Sequence, residues 1–514
     1  MKKIKYISLM LLAVSFSACD VNNELDAIAA EVVVLPDANA GTADFSKYVA
    51  IGASFSAGFA DNALFAATQQ NSFPNIMANQ MKAMGGGDFT QPIMINVSGQ
   101  PDNNGGLLLF GNRYPNNQFL PRLYFNGSGI AAITADPATE TSTILTGPFN
   151  NMGIPGAKSF HMVAPGYGSI QALPNANPYF VRMASSPGAT VLGDAASQSP
   201  TFFTISEIGG NDVLAYATSG GIGTVQAGNP DPSTYAFNDI TDPGVFTNVF
   251  TSMVNTLTAG GAKGAVVTVP SIVNLPFFTT VPYNPVPLDQ STADLLNGGY
   301  ATYNGGLQQV YAGLVLQGLP QEVADEELAK RTIVFTAGQN AVVIEDEDLR
   351  DLTGFGLPNY RQATAEDFLL LTSSSFIGSV VGGNPTLING LSVPLADNWV
   401  LTPEEQANIQ TATNAYNATI VSVGNSNGLA VVDLDGLLTQ AANGGTQFDD
   451  FTMTTSIVFG GMVSLDGVHL TSRGYALMAN KILEEIDNTY GSNFSSSGNV
   501  AKANNYPTNY PPGI

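Results

Sequence analysis

A three-layer α/β/α sandwich around a mostly parallel sheet, with long insertions, is the fold class this sequence predicts. Three observations carry that prediction. Short apolar runs recur without polar alternation, helical stretches with one apolar face lie between them, and Gly52 and Pro270 stop two of the runs. The runs are Tyr48-Val49-Ala50-Ile51-Gly52, Phe202-Phe203-Thr204-Ile205, Gly264-Ala265-Val266-Val267-Thr268-Val269, Thr332-Ile333-Val334-Phe335 and Leu429-Ala430-Val431-Val432. A strand buried on both faces has no side that must meet water, so it reads as continuously apolar and β-branched.

The helices follow from capping chemistry. Thr402 is placed to cap, Pro403 suits the first helical position because its missing N–H would go unpaired there, and Glu405 completes a capping box. Behind it, Ile409, Ala412, Tyr416, Ile420 and Val423 repeat at helical spacing, until Gly424 or Gly428 ends the run. A second helix begins near Thr471, with Tyr475, Ala479, Ile482 and Ile486 on one side. Strand and helix in alternation bury their apolar faces on one another as an α/β sandwich.

Residues 1–18 read as a signal peptide, 19–44 as a tether, 45–490 as one folded domain and 491–514 as a flexible Ser-, Asn- and Pro-rich tail. The stretches 84–148, 217–260, 275–330 and 345–400, rich in Gly, Asn, Pro and Thr, read as insertions on that domain. The basic start Met1-Lys2-Lys3-Ile4-Lys5 precedes an apolar segment from Ile7 to Phe16, too short to span a bilayer. Small residues then lead into Cys19, the chain's one cysteine. The pattern resembles a bacterial lipoprotein signal, which implies a lipid on Cys19, export, and a membrane anchor on the cell envelope, expected at the outer membrane. Acyl chains bind membranes at about 0.8 kcal/mol per buried methylene, so several on one residue hold firmly.

Composition excludes several functions. The formal net charge is −24 with 11% charged residues and no basic stripe, so nucleic acid is repelled. A lone cysteine cannot close an internal disulfide. Two histidines and that cysteine leave no zinc constellation, and no glycine-rich loop carries the lysine of a phosphate cradle. Asp433-Leu434-Asp435-Gly436 has the opening of a calcium loop without its later ligands, and reads as a strand-end turn. No cofactor and no metal are expected.

Scarcity sharpens the search for chemistry. Ser54 stands on the loop after the first apolar run, at the sheet edge where α/β proteins place their sites. Asp466-Gly467-Val468-His469 can bring a carboxylate and an imidazole together in one turn, with the carboxylate fixing the ring and the free nitrogen left to accept a proton. The plainer reading, an aspartate capping the next helix, is weakened because Thr471 already stands at the cap. His161, flanked by apolar residues, reads as structural or as a pocket wall. Asn211, after two glycines, can donate to a developing oxyanion, and Gly156 can offer a backbone amide.

Gly52-x-Ser54, Gly156, Gly210-Asn211-Asp212 and Asp466-x-x-His469, in that order, resemble the SGNH hydrolases, also called GDSL esterases and lipases. The resemblance runs from Tyr48 to Ile486. It implies Ser54 as nucleophile, Asp466 and His469 as its triad partners, and Gly156, Asn211 and the Ser54 amide as oxyanion donors. The Asp that this family carries before the serine is Ala53 here, and its Leu after it is Phe55. The expected activity is hydrolysis of a carboxylic ester, either lipid-like or an acyl group on a polysaccharide. The alternative is a non-catalytic lipoprotein that binds glycan or lipid on a hydrolase scaffold.

Overall fold

A computed structural model of the chain describes residues 34–513, in which one compact unit begins at Ala38. The signal segment and Cys19 lie outside the described residues. Five strands form the central sheet: β1 (Tyr48–Gly52), β2 (Asn151–Gly153), β3 (Phe202–Ser206), β4 (Lys263–Val267) and β5 (Ala430–Val432). Their order is β5-β4-β3-β1-β2, and every pairing is parallel. Tyr48 faces Phe202 and Gly52 faces Ser206, so β1 and β3 end level with one another. The fold is therefore α/β, as the apolar runs predict.

The helices that matter here are α1 (Ser54–Ala57), α2 (Phe73–Met81), α3 (Val191–Ser197), α4 (Gly210–Thr218), α5 (Pro243–Thr258), α6 (Gln290–Leu316), α7 (Gln321–Arg331), α8 (Pro403–Ser426), α9 (Leu434–Ala442) and α10 (Ser472–Tyr490). α10 packs on α2, α8 packs on α4 and α5, and β5 touches both α8 and α10, an arrangement compatible with a three-layer sandwich. Val49, Ala50 and Ile51 of β1 are wholly buried, which explains the absence of alternation. Ile409, Tyr416 and Ile420 bury the predicted face of α8. Its capping box forms as read, with the Thr402 N–H donating to Glu405 Oε2 at 2.7 Å. Asp433 caps α9 by accepting from the Gly436 N–H at 2.9 Å, which is why that segment resembles a calcium loop only at its start.

The structure differs from the sequence reading in four places. Thr332–Phe335 is not a strand. It is an extended segment, and Asn297 and Asn304 on α6 exchange paired hydrogen bonds with the backbone of Phe335 and Ile333. Side-chain amides thus supply what a neighbouring strand would, and Ile333 and Phe335 are buried in a separate core with α6 and α7. Residues 217–260 are not wholly an insertion, because α5 within them buries Phe246, Phe250 and Met253 in the main core. β2 is a sheet strand with a polar start: Asn151 is buried, and its Nδ2 donates to Ser56 O at 2.8 Å. Finally, the segment after Tyr490 is not a loose tail. Phe494 and Ala503 are fully buried, and the buried Arg122 guanidinium donates to the Tyr510 and Pro511 carbonyls, each at 2.8 Å. Among the described residues no helix is long and apolar enough to cross a membrane.

Candidate active site

β1 runs out at Gly52, and the chain turns at once into the single turn α1, of which Ser54 is the first residue. Gly58, at φ 82°, closes that turn. The turn is pressed onto β2: a Cβ on Gly153 would lie 2.3 Å from the Ala57 nitrogen, so only glycine fits. Ala53 offers no side-chain cap to α1. The cap comes from a different strand. Glu207, directly after β3, accepts from the Phe55 N–H at 2.7 Å and from the Ser56 N–H at 3.2 Å. Burial pushes the Glu207 carboxyl up, and the amides of Ser56, Phe55 and Ala53, which favour its ionised form, oppose that shift. Nothing in the sequence reading pointed to Glu207. A glutamate between a strand and a glycine pair looks like a loop residue until the topology sets β3 beside β1.

Asp466 and His469 meet as their spacing predicts. His469 Nδ1 lies 2.9 Å from Asp466 Oδ2. Asp466 Oδ1 accepts from the backbone N–H of Val468 and of His469, both at 2.9 Å, and from Ser464 Oγ at 3.1 Å. The Asn62 N–H, from the loop after α1, donates to Oδ2 at 2.9 Å. Burial alone would raise this carboxyl, but the His469 charge and these bonds outweigh it and hold Asp466 well below the usual carboxylate range. The Phe59 ring lies 4.5 Å from the imidazole, centroid to centroid. Gly467 is at φ 76°, and a Cβ there would come within 2.8 Å of the Phe277 nitrogen, so this turn also requires glycine. The start and the end of the domain are thus joined at one place: the Asp61 N–H donates to Ser464 Oγ, and the Leu465 N–H to Asp61 Oδ1, both at 3.1 Å.

Asn211 opens α4, which follows β3. Its Nδ2 donates to Ala157 O at 3.0 Å, so the Gly-Gly-Asn-Asp segment and the loop after β2 touch. Asp212 strengthens that junction: its carboxylate accepts from the Ser159 N–H at 2.8 Å and from Ser159 Oγ at 2.6 Å. Gly156 lies on the same loop at φ 78°, but it is exposed and does not line the cleft described next.

Ser54, Glu207, Asn211 and His469 line one cleft beyond the carboxyl ends of β1 and β3. The chain leaves β1 for β2 on one side and β3 for β4 on the other, so this is the switch point where open α/β sheets place ligands. Most of the remaining wall is apolar, including Val213, Leu214, Val269, Ile272, Leu275 and Val468. The Ser54 hydroxyl has no hydrogen-bond partner among the described residues. Such bonds are often long before substrate arrives.

His161 is elsewhere. It stacks on Tyr167 at 4.2 Å, and its Nδ1 accepts from the Lys158 N–H at 3.0 Å. Burial, with the Lys158 charge, lowers its imidazole to about 3, so it stays neutral. Among the described residues one acidic trio, Glu347, Asp397 and Glu405, brings carboxylate oxygens within 4.8 Å of one another, and it does not line the cleft. No protein-family model matches the chain, and neither does any curated protein or solved structure.

Proposed function

We propose that this chain is a serine-dependent carboxylic ester hydrolase of the SGNH type, on a flavodoxin-like sandwich, carried on the cell envelope by a lipid on Cys19. One observation supports it above the rest: Ser54 and a histidine already oriented by a carboxylate share a cleft with an amide donor. Asp466 holds the proton on His469 Nδ1, which leaves Nε2 as the base. Ser54 Oγ attacks the acyl carbonyl, a C–O bond forms, and the hydroxyl proton passes to Nε2. The negative oxygen is received by the Ser54 N–H and Asn211 Nδ2. As the intermediate collapses, the ester C–O bond breaks and the leaving alcohol takes the proton from His469. Water then repeats the sequence and frees the acid and Ser54.

The apolar wall supports an acyl chain of several carbons over a bare acetyl group, because each buried methylene contributes about 0.8 kcal/mol. Nitrophenyl esters from acetate to decanoate test both points. Wild type is expected to hydrolyse the medium chains fastest, Ser54→Ala to be inert, and a fluorophosphonate to label Ser54. Equal rates for wild type and Ser54→Ala on every ester, with no labelling, would leave the non-catalytic binding scaffold. A preference for acetylated glycans would move the substrate to polysaccharide.

A further inference from the structure

The amides around Ser54 are not treated alike. Those of Phe55 and Ser56 donate to the Glu207 carboxylate, and that of Ala53 acts on the same carboxyl. The Ser54 N–H between them has no acceptor among the described residues. Glu207 is 5% exposed and is held at φ 53°, a left-handed backbone that a non-glycine residue seldom adopts. Strain of this kind persists only where surrounding contacts enforce it, and it gathers at functional sites. Here the enforcing contacts are the amides of α1. The carboxylate comes from the end of β3, three residues before the α4 helix begins, and α4 carries Asn211. One residue therefore touches the turn that presents Ser54 and leads directly into the segment that presents the side-chain donor.

We infer that Glu207 is the positioning residue of this site: its carboxylate gathers the amides flanking Ser54 and leaves the Ser54 N–H alone free to receive the oxyanion. The inference rests on the hydrolase reading above. It also accounts for Ala53, whose methyl group cannot accept a hydrogen bond, because the acceptor for this turn is supplied from across the sheet. A glutamine at 207 has one carbonyl oxygen, and its NH₂ would face an amide N–H. An alanine leaves the amides without an acceptor, and they compete with Ser54 for whatever oxygen enters the cleft.

The test is steady-state kinetics on a medium-chain nitrophenyl ester, with wild type, Glu207→Gln, Glu207→Ala and Ser54→Ala, each checked by circular dichroism and thermal melting. The expected result is a fall in kcat for Glu207→Ala on the scale of a lost oxyanion donor, about 10²-fold, with a smaller fall for Glu207→Gln and KM within about threefold in both. Coupling gives a second readout. Glu207→Gln should cost less in an Asn211→Ala background than in wild type, because both residues serve one oxygen. Folded variants with wild-type kcat overturn the proposal, as does a loss carried wholly by KM, which would make Glu207 a pocket wall. Failure of even the isosteric Glu207→Gln to fold would make its role structural and also overturn it. If wild type itself shows no Ser54-dependent hydrolysis, the hydrolase reading fails first, and this one falls with it.

Discussion

Replacing Asp466 with asparagine separates orientation from architecture. In the native site Oδ1 accepts three hydrogen bonds, from the amides of Val468 and His469 and from Ser464 Oγ, while Oδ2 takes His469 Nδ1 and the Asn62 N–H. An asparagine that keeps its oxygen at Oδ1 retains the first three. Its NH₂ then points at the imidazole, which must accept at Nδ1 and carry its proton on Nε2. That tautomer cannot take a proton from Ser54. The expected loss in kcat is about 10⁴-fold, the scale seen when a triad carboxylate becomes an amide, or about 5 kcal/mol in the barrier. The structural cost is smaller, because only the exposed Asn62 N–H loses its acceptor, at ~0.5–1.5 kcal/mol for one hydrogen bond that water can replace. Turnover of a medium-chain nitrophenyl ester and a thermal melt, run on the same preparation, measure the two. A folded Asp466→Asn enzyme within tenfold of wild type would refute the reasoning, because the imidazole would then need no carboxylate to act.

Three further outcomes follow from the geometry. Asn211→Ala should lower kcat by about 10²–10³-fold with little change in KM, measured on the same ester, since the donor serves the transition state more than the bound substrate. Asp61 should give stability a pH slope: burial raises its carboxyl to about 7, so between the usual carboxylate range and pH 7 the native state holds a proton that the unfolded chain releases. Stability then falls as pH rises through that window, by up to ~1.4 kcal/mol per pH unit, and urea melts of Asp61→Asn should show a flatter profile. Arg122→Ala removes donors from the carbonyls of Asn103, Tyr510 and Pro511. A loss of ~3 kcal/mol or more and early proteolytic cleavage within residues 500–513 are expected, read by limited digestion and mass spectrometry.

Much of the fold was legible because burial on both faces leaves a compositional mark. β1, β3, β4 and β5 are apolar runs, and the caps of α8 and α10 lie in adjacent residues. β2 escaped because it is three residues long and begins with an asparagine whose partners, Ser56 and Gln91, lie far away in sequence. α5 escaped because its apolar repeat, Val245–Phe246, Val249–Phe250 and Met253–Val254, sits in a stretch whose overall composition suggests a loop. Thr332–Phe335 was misread because burial of Ile333 and Phe335 gives the same mark whether the partner is a strand or two asparagines. At the site, Asp466 and His469 were legible because their contact is local. Glu207 was not, since its meaning depends on β3 lying beside β1, a neighbourhood that no stretch of sequence states.

The amino-terminal segment binds to the edge of the sheet opposite the cleft. Thr42 donates its amide to Tyr490 O and accepts from Lys263 Nζ, at the start of β4, whereas Ser54 stands at the finish of β1. The chain therefore enters the folded unit at the end of the sheet opposite the one that carries Ser54, so nothing that precedes Thr42 in this unit has to cross the mouth of the cleft.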